Sequence, residues 1–181
     1  IAYGEDIEYV ALKVKAVNDV SLAAVGDVFV FASDLHKSLC EGSGITDFEF
    51  LEIFKGEALE GTLCDHPFVE QGYDFDVPLI AGHHVTTEAG TGLVHTAPGH
   101  GADDFELGKK FDLEIADTIT DDALYAESVK HFAGTHVFKA DPLVLELLRS
   151  TNSLLRESMI THSYPHSWRS KAPLIFRTTP Q

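Results

Sequence analysis

Gly90-Thr91-Gly92-Leu93-Val94-His95-Thr96-Ala97-Pro98-Gly99-His100-Gly101-Ala102-Asp103-Asp104 is the stretch on which the reading of this chain turns. It begins as a short apolar strand over 92–97 and passes through a Gly/Pro-rich turn into the acidic start of a helix expected over 102–111. Carboxylates at Asp103 and Asp104 suit that start, because the helix macrodipole is positive there. The glycines allow a ligand to approach the backbone closely. His95 and Asp104 stand nine residues apart on opposite sides of the turn, a spacing that lets them face one pocket. A carboxylate so placed can hold an ammonium group, and an imidazole can hydrogen-bond a hydroxyl or carbonyl or exchange a proton. The same residues also fit a plainer role, in which the helix simply starts acidic and the histidines satisfy a loop.

Upstream of this stretch, 9–16 alternates apolar and polar residues in part, as a half-buried strand does. Asn18-Asp19 supplies a turn, and 28–31 reads as a second, more buried strand. Ser33 or Asp34 is placed to cap a short helix through about Glu41, which Gly42 then stops. A further strand covers 48–54, and short strands punctuated by Gly and Pro, among them 77–80, fill 61–98. Downstream, Asp141-Pro142 opens a helix with Leu143, Leu147 and Leu148 as its apolar stripe. Strand-like segments return at 158–162 and 174–177. The sum is a mainly β chain with about three helices, closer to a barrel or sandwich with peripheral α-helices than to alternating βαβ units.

Composition sets the outer limits. The 181 residues carry 13 Lys+Arg against 29 Asp+Glu, a formal charge of −16, with 44% hydrophobic and 23% charged residues. That is an ordinary globular balance, and the length suits a single domain over 1–181. No apolar run approaches the length of a membrane span. Two cysteines, Cys40 and Cys64, make neither a disulfide framework nor a CxxC zinc site, which suits a reducing, cytoplasmic setting. Residues 1–127 hold 26 acids and six bases, whereas 128–181 hold three acids and seven bases. The acidic bulk argues against a generic nucleic-acid binder, although a polyanion can touch the C-terminal third. His83, His84, His95, His100, Asp103 and Asp104 offer zinc-ligand chemistry but no HExxH-type spacing. His162 and His166 are four apart, yet Pro165 disrupts the helix that would align them. Gly90-Thr91-Gly92 lacks both the third glycine of a dinucleotide fingerprint and the Lys-Ser/Thr of a P-loop.

The run GTGLVHTAPGHGADDFELG closely resembles the editing domain of isoleucyl-tRNA synthetase, a connective-peptide insertion in a class I catalytic core. The resemblance continues through KGEALEGTLCDHPF at 55–68, FDVPLIAGHHVTTEAG at 75–90 and THSYPHSWRSKAPLIFRTTPQ at 161–181. The valyl and leucyl enzymes share a GTG…D pattern but not the His-Thr-Ala-Pro-Gly-His-Gly run. No HIGH-type or KMSKS-type motif of the synthetic site is present.

The resemblance implies a closed β-barrel editing domain of the valyl/isoleucyl/leucyl type, with 158–181 as a strand-rich return toward the catalytic core. It implies hydrolysis of valine wrongly esterified to isoleucine tRNA. For this very enzyme class the established magnitude is that one missing methylene is worth only ~1–3 kcal/mol, so a second sieve must remove what slips through. By motif match, Asp104 corresponds to the acid that holds the substrate's α-ammonium. His95 corresponds to a histidine near the amino acid and terminal ribose that helps exclude isoleucine. Thr91, Gly92 and Thr96 fall where the pocket wall is expected. The implied nucleophile is water, with no cofactor for this domain, although the parent enzyme uses ATP and magnesium. The implied partners are the 3′ end of a mischarged tRNA and the remaining domains of the synthetase, with a monomer expected and no membrane. Some relatives bind a structural zinc through cysteines in the segment matching 165–171. Ser167 and Ser170 stand there instead, so no metal is expected. The family also has a Thr-Thr-Pro-Trp-Thr type strand upstream of the position matching Ile1, and its absence leaves an alternative: a catalytically inert fragment serving only packing or tRNA docking.

Overall fold

Alternation shapes the central strand. In the computed structural model, which describes residues 1–159, 161 and 163–179, Tyr9, Val10, Leu12 and Val14 are fully buried while Glu8 and Lys15 face water. Two compact units emerge: Ile1–Thr96 with Leu147–Arg156, and Ala97–Glu146 with Glu157–Gln181. The first contains β1 (Ala2–Tyr3), β2 (Glu8–Val17), β3 (Val28–Ala32) and β4 (Ile45–Lys55). It also holds the two-residue strands β5 (Leu63–Cys64), β6 (Val77–Pro78), β7 (Ile80–Ala81) and β8 (Leu93–Val94).

β2 is the centre of an antiparallel sheet ordered β3-β2-β4. Its apolar side packs Leu12 and Val14 with Phe31, Cys40 and Ile45, and Leu39 and Leu155 close over them. Each such buried side chain contributes ~1.5–3 kcal/mol. β4 is an edge strand, and Phe50, Leu51 and Ile53 on it remain largely exposed. A second sheet, β7-β1-β8, pairs β1 parallel to β7 and antiparallel to β8. Tyr3, Tyr9, Ala32 and Leu79 form its adjoining core cluster. β5 and β6 make a third, two-stranded sheet.

Among the described residues the mainly β architecture with three α-helices stands, but no sheet closes into a barrel. Closure needs an unbroken ladder, and β3 and β4 each pair only with β2. Local expectations shift for similar reasons. The strand expected over 92–97 shrinks to β8, because its partner β1 offers only two residues. The strand expected over 77–80 breaks at Leu79, whose N–H turns to the Thr62 carbonyl at 2.9 Å while Ile80 donates to Ile1. Neither Ser33 nor Asp34 caps α1 (His36–Gly42) through its side chain. Both lie in the 3-10 turn Ser33–Leu35, and Gly42 sits inside the helix, with Ser43 ending it.

The second unit holds α2 (Ala102–Lys110), which buries Leu107 and Gly108. Gly108 is needed there, since a Cβ would lie 2.7 Å from the Pro98 ring. α3 (Asp141–Ser150) starts where Asp141-Pro142 placed it, and its residues divide between the two units. Its covered positions are Val144, Leu145, Leu147 and Leu148, whereas Leu143 is exposed. Of the strand expected over 158–162, Ile160 and His162 lie outside the described residues, and Ser158, Met159 and Thr161 are in no strand. Residues 174–177 form no strand either. The return segment has a single isolated bridge, His166 with Pro173, among the described residues. No helix among the described residues is long and apolar enough to cross a membrane.

Candidate functional site

The stretch that organises the sequence is shared by the two units, Thr91–Thr96 lying in the first and Ala97–Asp104 in the second. In the first unit, the Thr91–Gly92 segment is pinned to the β2–β3 sheet. Ala32 of β3 donates its N–H to the Thr91 carbonyl at 2.8 Å. The Tyr9 hydroxyl donates to the Gly92 carbonyl at 2.6 Å and accepts the Gly4 N–H at 3.0 Å. Gly92 is buried with φ of +77°, and a Cβ there would strike that of Ala32.

These contacts limit what Thr91 can offer a ligand. Its hydroxyl donates to the Leu93 carbonyl at 2.9 Å and accepts the Leu93 N–H at 3.2 Å. The single hydroxyl proton is spent, so what remains is a lone pair that can accept from a ligand N–H or O–H. Thr96 donates to the Val94 carbonyl over a long 3.4 Å. His95, just past β8, is exposed.

His66 was not singled out from the sequence, where only its place inside the 55–68 motif marks it. Its ring stacks on Tyr73 with centroids 4.9 Å apart and also contacts Phe68 and Phe75. Its Nδ1 accepts the Phe68 N–H at 3.0 Å, leaving Nε2 as the protonated nitrogen of the neutral ring. A cavity of about 450 Å³ opens beside it, bordered by Asp65, Glu70, Thr151 and Asn152 among others. Burial pushes the His66 imidazole below its ordinary range, and the positive charge available at His95 pushes it the same way. The folded chain therefore resists protonating His66, while the unfolded chain takes the proton near the ordinary value of 6.5. Stability is unaffected above that pH and is lost as pH falls from it toward the lower folded pKa. The midpoint of urea unfolding should accordingly drop further between about pH 7.5 and 5.5 in the parent chain than in His66→Phe. Equal drops would show that His66 keeps its ordinary affinity for the proton.

In the second unit, Asp104 sits in the first turn of α2 and is half-buried, while Asp103 beside it is exposed. Successive helical side chains point about 100° apart, which separates the pair in this way. Asp104 Oδ2 accepts the Ala97 N–H at 3.1 Å, drawing the carboxylate back over the turn. It lies so close to Gly101 that a Cβ there would approach it to 3.1 Å. Among the described residues nothing hydrogen-bonds Oδ1, so that oxygen can still receive a charged donor.

The histidines weighed as zinc ligands lie in different settings. His100 has both ring nitrogens engaged, at 3.0 Å to the Phe176 carbonyl and 2.9 Å to the Thr118 hydroxyl. His83 and His84 are exposed. Among the described residues no group of three or more His, Cys, Asp or Glu side chains is placed to hold a metal ion. Ser167 and Ser170 instead use their hydroxyls to accept the N–H groups of Ser170 and Ala172, each at 3.3 Å, which holds the 165–173 turn.

No family model matches the chain. Curated relatives do, along its entire length. It is 45% identical to the isoleucine–tRNA ligase of Gluconobacter oxydans and 41% identical to that of Pelagibacter ubique, covering all of this chain and 20% of each relative. It is likewise 45% identical to the isoleucine–tRNA ligase of Aliivibrio fischeri, covering 18% of that protein. The chain thus spans about a fifth of the length of the curated relatives it matches. Such identity over the full length of the chain makes it a homologue of one portion of isoleucine–tRNA ligase.

Proposed function

We propose that the chain is the post-transfer editing domain of an isoleucine–tRNA ligase, of the valyl/isoleucyl/leucyl type. Its reaction is hydrolysis of the ester that joins valine wrongly to the 3′ end of isoleucine tRNA. The observation that carries the reading is Asp104, half-buried, held from one side by the Ala97 N–H and open on Oδ1. A valyl ester presents a free α-ammonium, and this carboxylate supplies the charge to hold it. Water attacks the ester carbonyl, the bond to the ribose oxygen breaks, and valine leaves as its carboxylate. One proton of the attacking water passes to the departing ribose oxygen, and the other is released to solvent as valine leaves as its carboxylate. Thr91, Gly92 and Thr96 are assigned to the wall by motif match, with the Thr91 lone pair available to a hydrogen-bond donor of the ligand. Alignment of the water by ribose hydroxyl and backbone groups supplies the rate. No cofactor takes part in this step, and ATP and magnesium serve the parent enzyme's aminoacylation.

The proposed partners are the tRNA 3′ end and the other domains of the synthetase, in a cytoplasmic monomer. With 26 acids against six bases over 1–127, this portion grips phosphates poorly, so tRNA affinity resides mostly elsewhere. The test is deacylation of valyl-tRNA by this chain and by a version extended through the threonine-rich strand. Hydrolysis by the extended version alone identifies the present chain as the inert fragment. Absence of hydrolysis from both overturns the editing reading.

His95 is proposed as part of the sieve. In the extended version, His95→Ala should admit the correct product, isoleucyl-tRNA. The preference for the valyl over the isoleucyl ester should fall by up to ~10–200-fold, the discrimination a methylene-sized pocket provides. An unchanged ratio removes His95 from that role.

A further inference from the structure

The wall segment at Thr91–Leu93 owes its setting to a residue far away in sequence. Tyr9 lies on the central strand β2, is wholly buried, and stands 83 residues from the glycine that it holds. We infer that Tyr9 is a positioning residue for that wall: its hydroxyl, anchored by the Gly4 N–H, fixes the Gly92 carbonyl and with it Thr91 and the strand that leads to His95. As a role in editing, this rests on the function proposed above.

The geometry separates this role from ordinary packing. The ring of Tyr9 belongs to the core cluster with Tyr3, Ala32 and Leu79 and stacks on Phe54 at 6.3 Å. A phenylalanine would keep those contacts. The hydroxyl is a different matter. It meets two backbone groups from separate segments, one as donor and one as acceptor, at 2.6 and 3.0 Å. Ala32, which pairs with Tyr9 across β2 and β3, holds the neighbouring Thr91 carbonyl. One rung of the sheet therefore grips two consecutive carbonyls of the wall, Thr91 through a backbone N–H and Gly92 through a phenol. Burial pushes the Tyr9 phenol above its ordinary range, so the group stays a protonated donor across the working pH. Tyr9→Phe deletes the hydroxyl alone, which leaves the Gly92 carbonyl without this donor and the Gly4 N–H without this acceptor.

Tyr9→Phe is compared with Phe54→Leu, which trims the same stack without touching Gly92, in the parent chain and in the version extended upstream. Hydrogen exchange of the 90–94 segment should accelerate at least tenfold in Tyr9→Phe and stay at the parent rate in Phe54→Leu. Exchange over 10–14 should be unchanged in Tyr9→Phe. In whichever version deacylates valyl-tRNA, kcat should fall about 10- to 100-fold, the range that ångström-scale misplacement costs. KM should stay within about twofold, and Phe54→Leu should keep the parent kcat at the same temperature. Unaltered protection of 90–94 in Tyr9→Phe overturns the inference whatever the activity. A loosened segment with kcat intact overturns the positioning role and leaves Tyr9 as a purely structural tie. A loosened segment in a protein that never deacylates sinks the editing reading while retaining the grip of Tyr9 on Gly92.

Discussion

Asp104→Ala is expected to slow deacylation of valyl-tRNA by ~10–200-fold, the range set by a charge-assisted hydrogen bond worth ~1.5–3 kcal/mol at ~1.4 kcal/mol per decade. The structure adds a complication, because Asp104 Oδ2 also accepts the Ala97 N–H. Alanine removes both the charge and that tie. Asp104→Asn separates them, since its amide oxygen can keep the bond to Ala97 while the charge is gone. If the ammonium is what Asp104 serves, asparagine should lose nearly as much activity as alanine while preserving more of the stability. Asp103→Ala is the internal control. Its side chain is exposed, and it should cost only ~0.3–1 kcal/mol of helix stability through the macrodipole. Thermal unfolding and deacylation measured together distinguish these outcomes. Equal loss of activity at both aspartates, or a greater loss at Asp103, would place the ammonium elsewhere.

The largest loss of stability is expected from Gly92→Ala. With φ at +77°, an L side chain enters the left-handed region at a cost of ~1–2 kcal/mol. The new methyl also lands on Ala32, which cannot retreat. That residue is laddered to Tyr9, and its N–H is bound to Thr91. Overpacking of this kind adds ~1–3 kcal/mol, for a total of ~2–5 kcal/mol. Gly90 supplies the comparison, because its φ is +79° but nothing lies within 4 Å of the position of its Cβ. Gly90→Ala should therefore lose only the backbone part, ~1–2 kcal/mol. Urea unfolding of the two variants measures the difference. Matching losses would show that contact with Ala32 imposes no constraint.

Legibility followed the range of the interactions. The strand at 8–17 could be read because its alternation is local, and the starts of α2 and α3 because acidic residues and an Asp-Pro step mark them. Helix geometry requires Asp103 and Asp104 to differ in exposure, while the choice of Asp104 as the inward one rested on the motif resemblance. Features decided by distant partners stayed hidden. Residues 77–80 look like one strand, yet β6 and β7 join different sheets. The caps foreseen at Ser33 and Asp34 gave way to a 3-10 turn. His66 acquires its lowered proton affinity from burial and from His95, and no spacing in the sequence announces either. The grip of Tyr9 on Gly92 spans 83 residues. The chemistry proposed for Asp104 and His95 came from motif resemblance, and the fold supplies their surroundings.

The edge strand β4 also bears on solubility. An eleven-residue edge carrying exposed Phe50, Leu51 and Ile53 is a template for another strand. Asp47, Glu49 and Glu52 are interspersed along it, with Lys15 across the sheet paired to Glu49. Two copies laid edge to edge in antiparallel fashion would bring these carboxylates together, and that repulsion guards the strand against self-pairing. The protection is electrostatic, so it weakens as salt screens the charges and vanishes once acid neutralises them. The residues that make this surface acidic thus act as gatekeepers against aggregation, a service independent of any chemistry at Asp104.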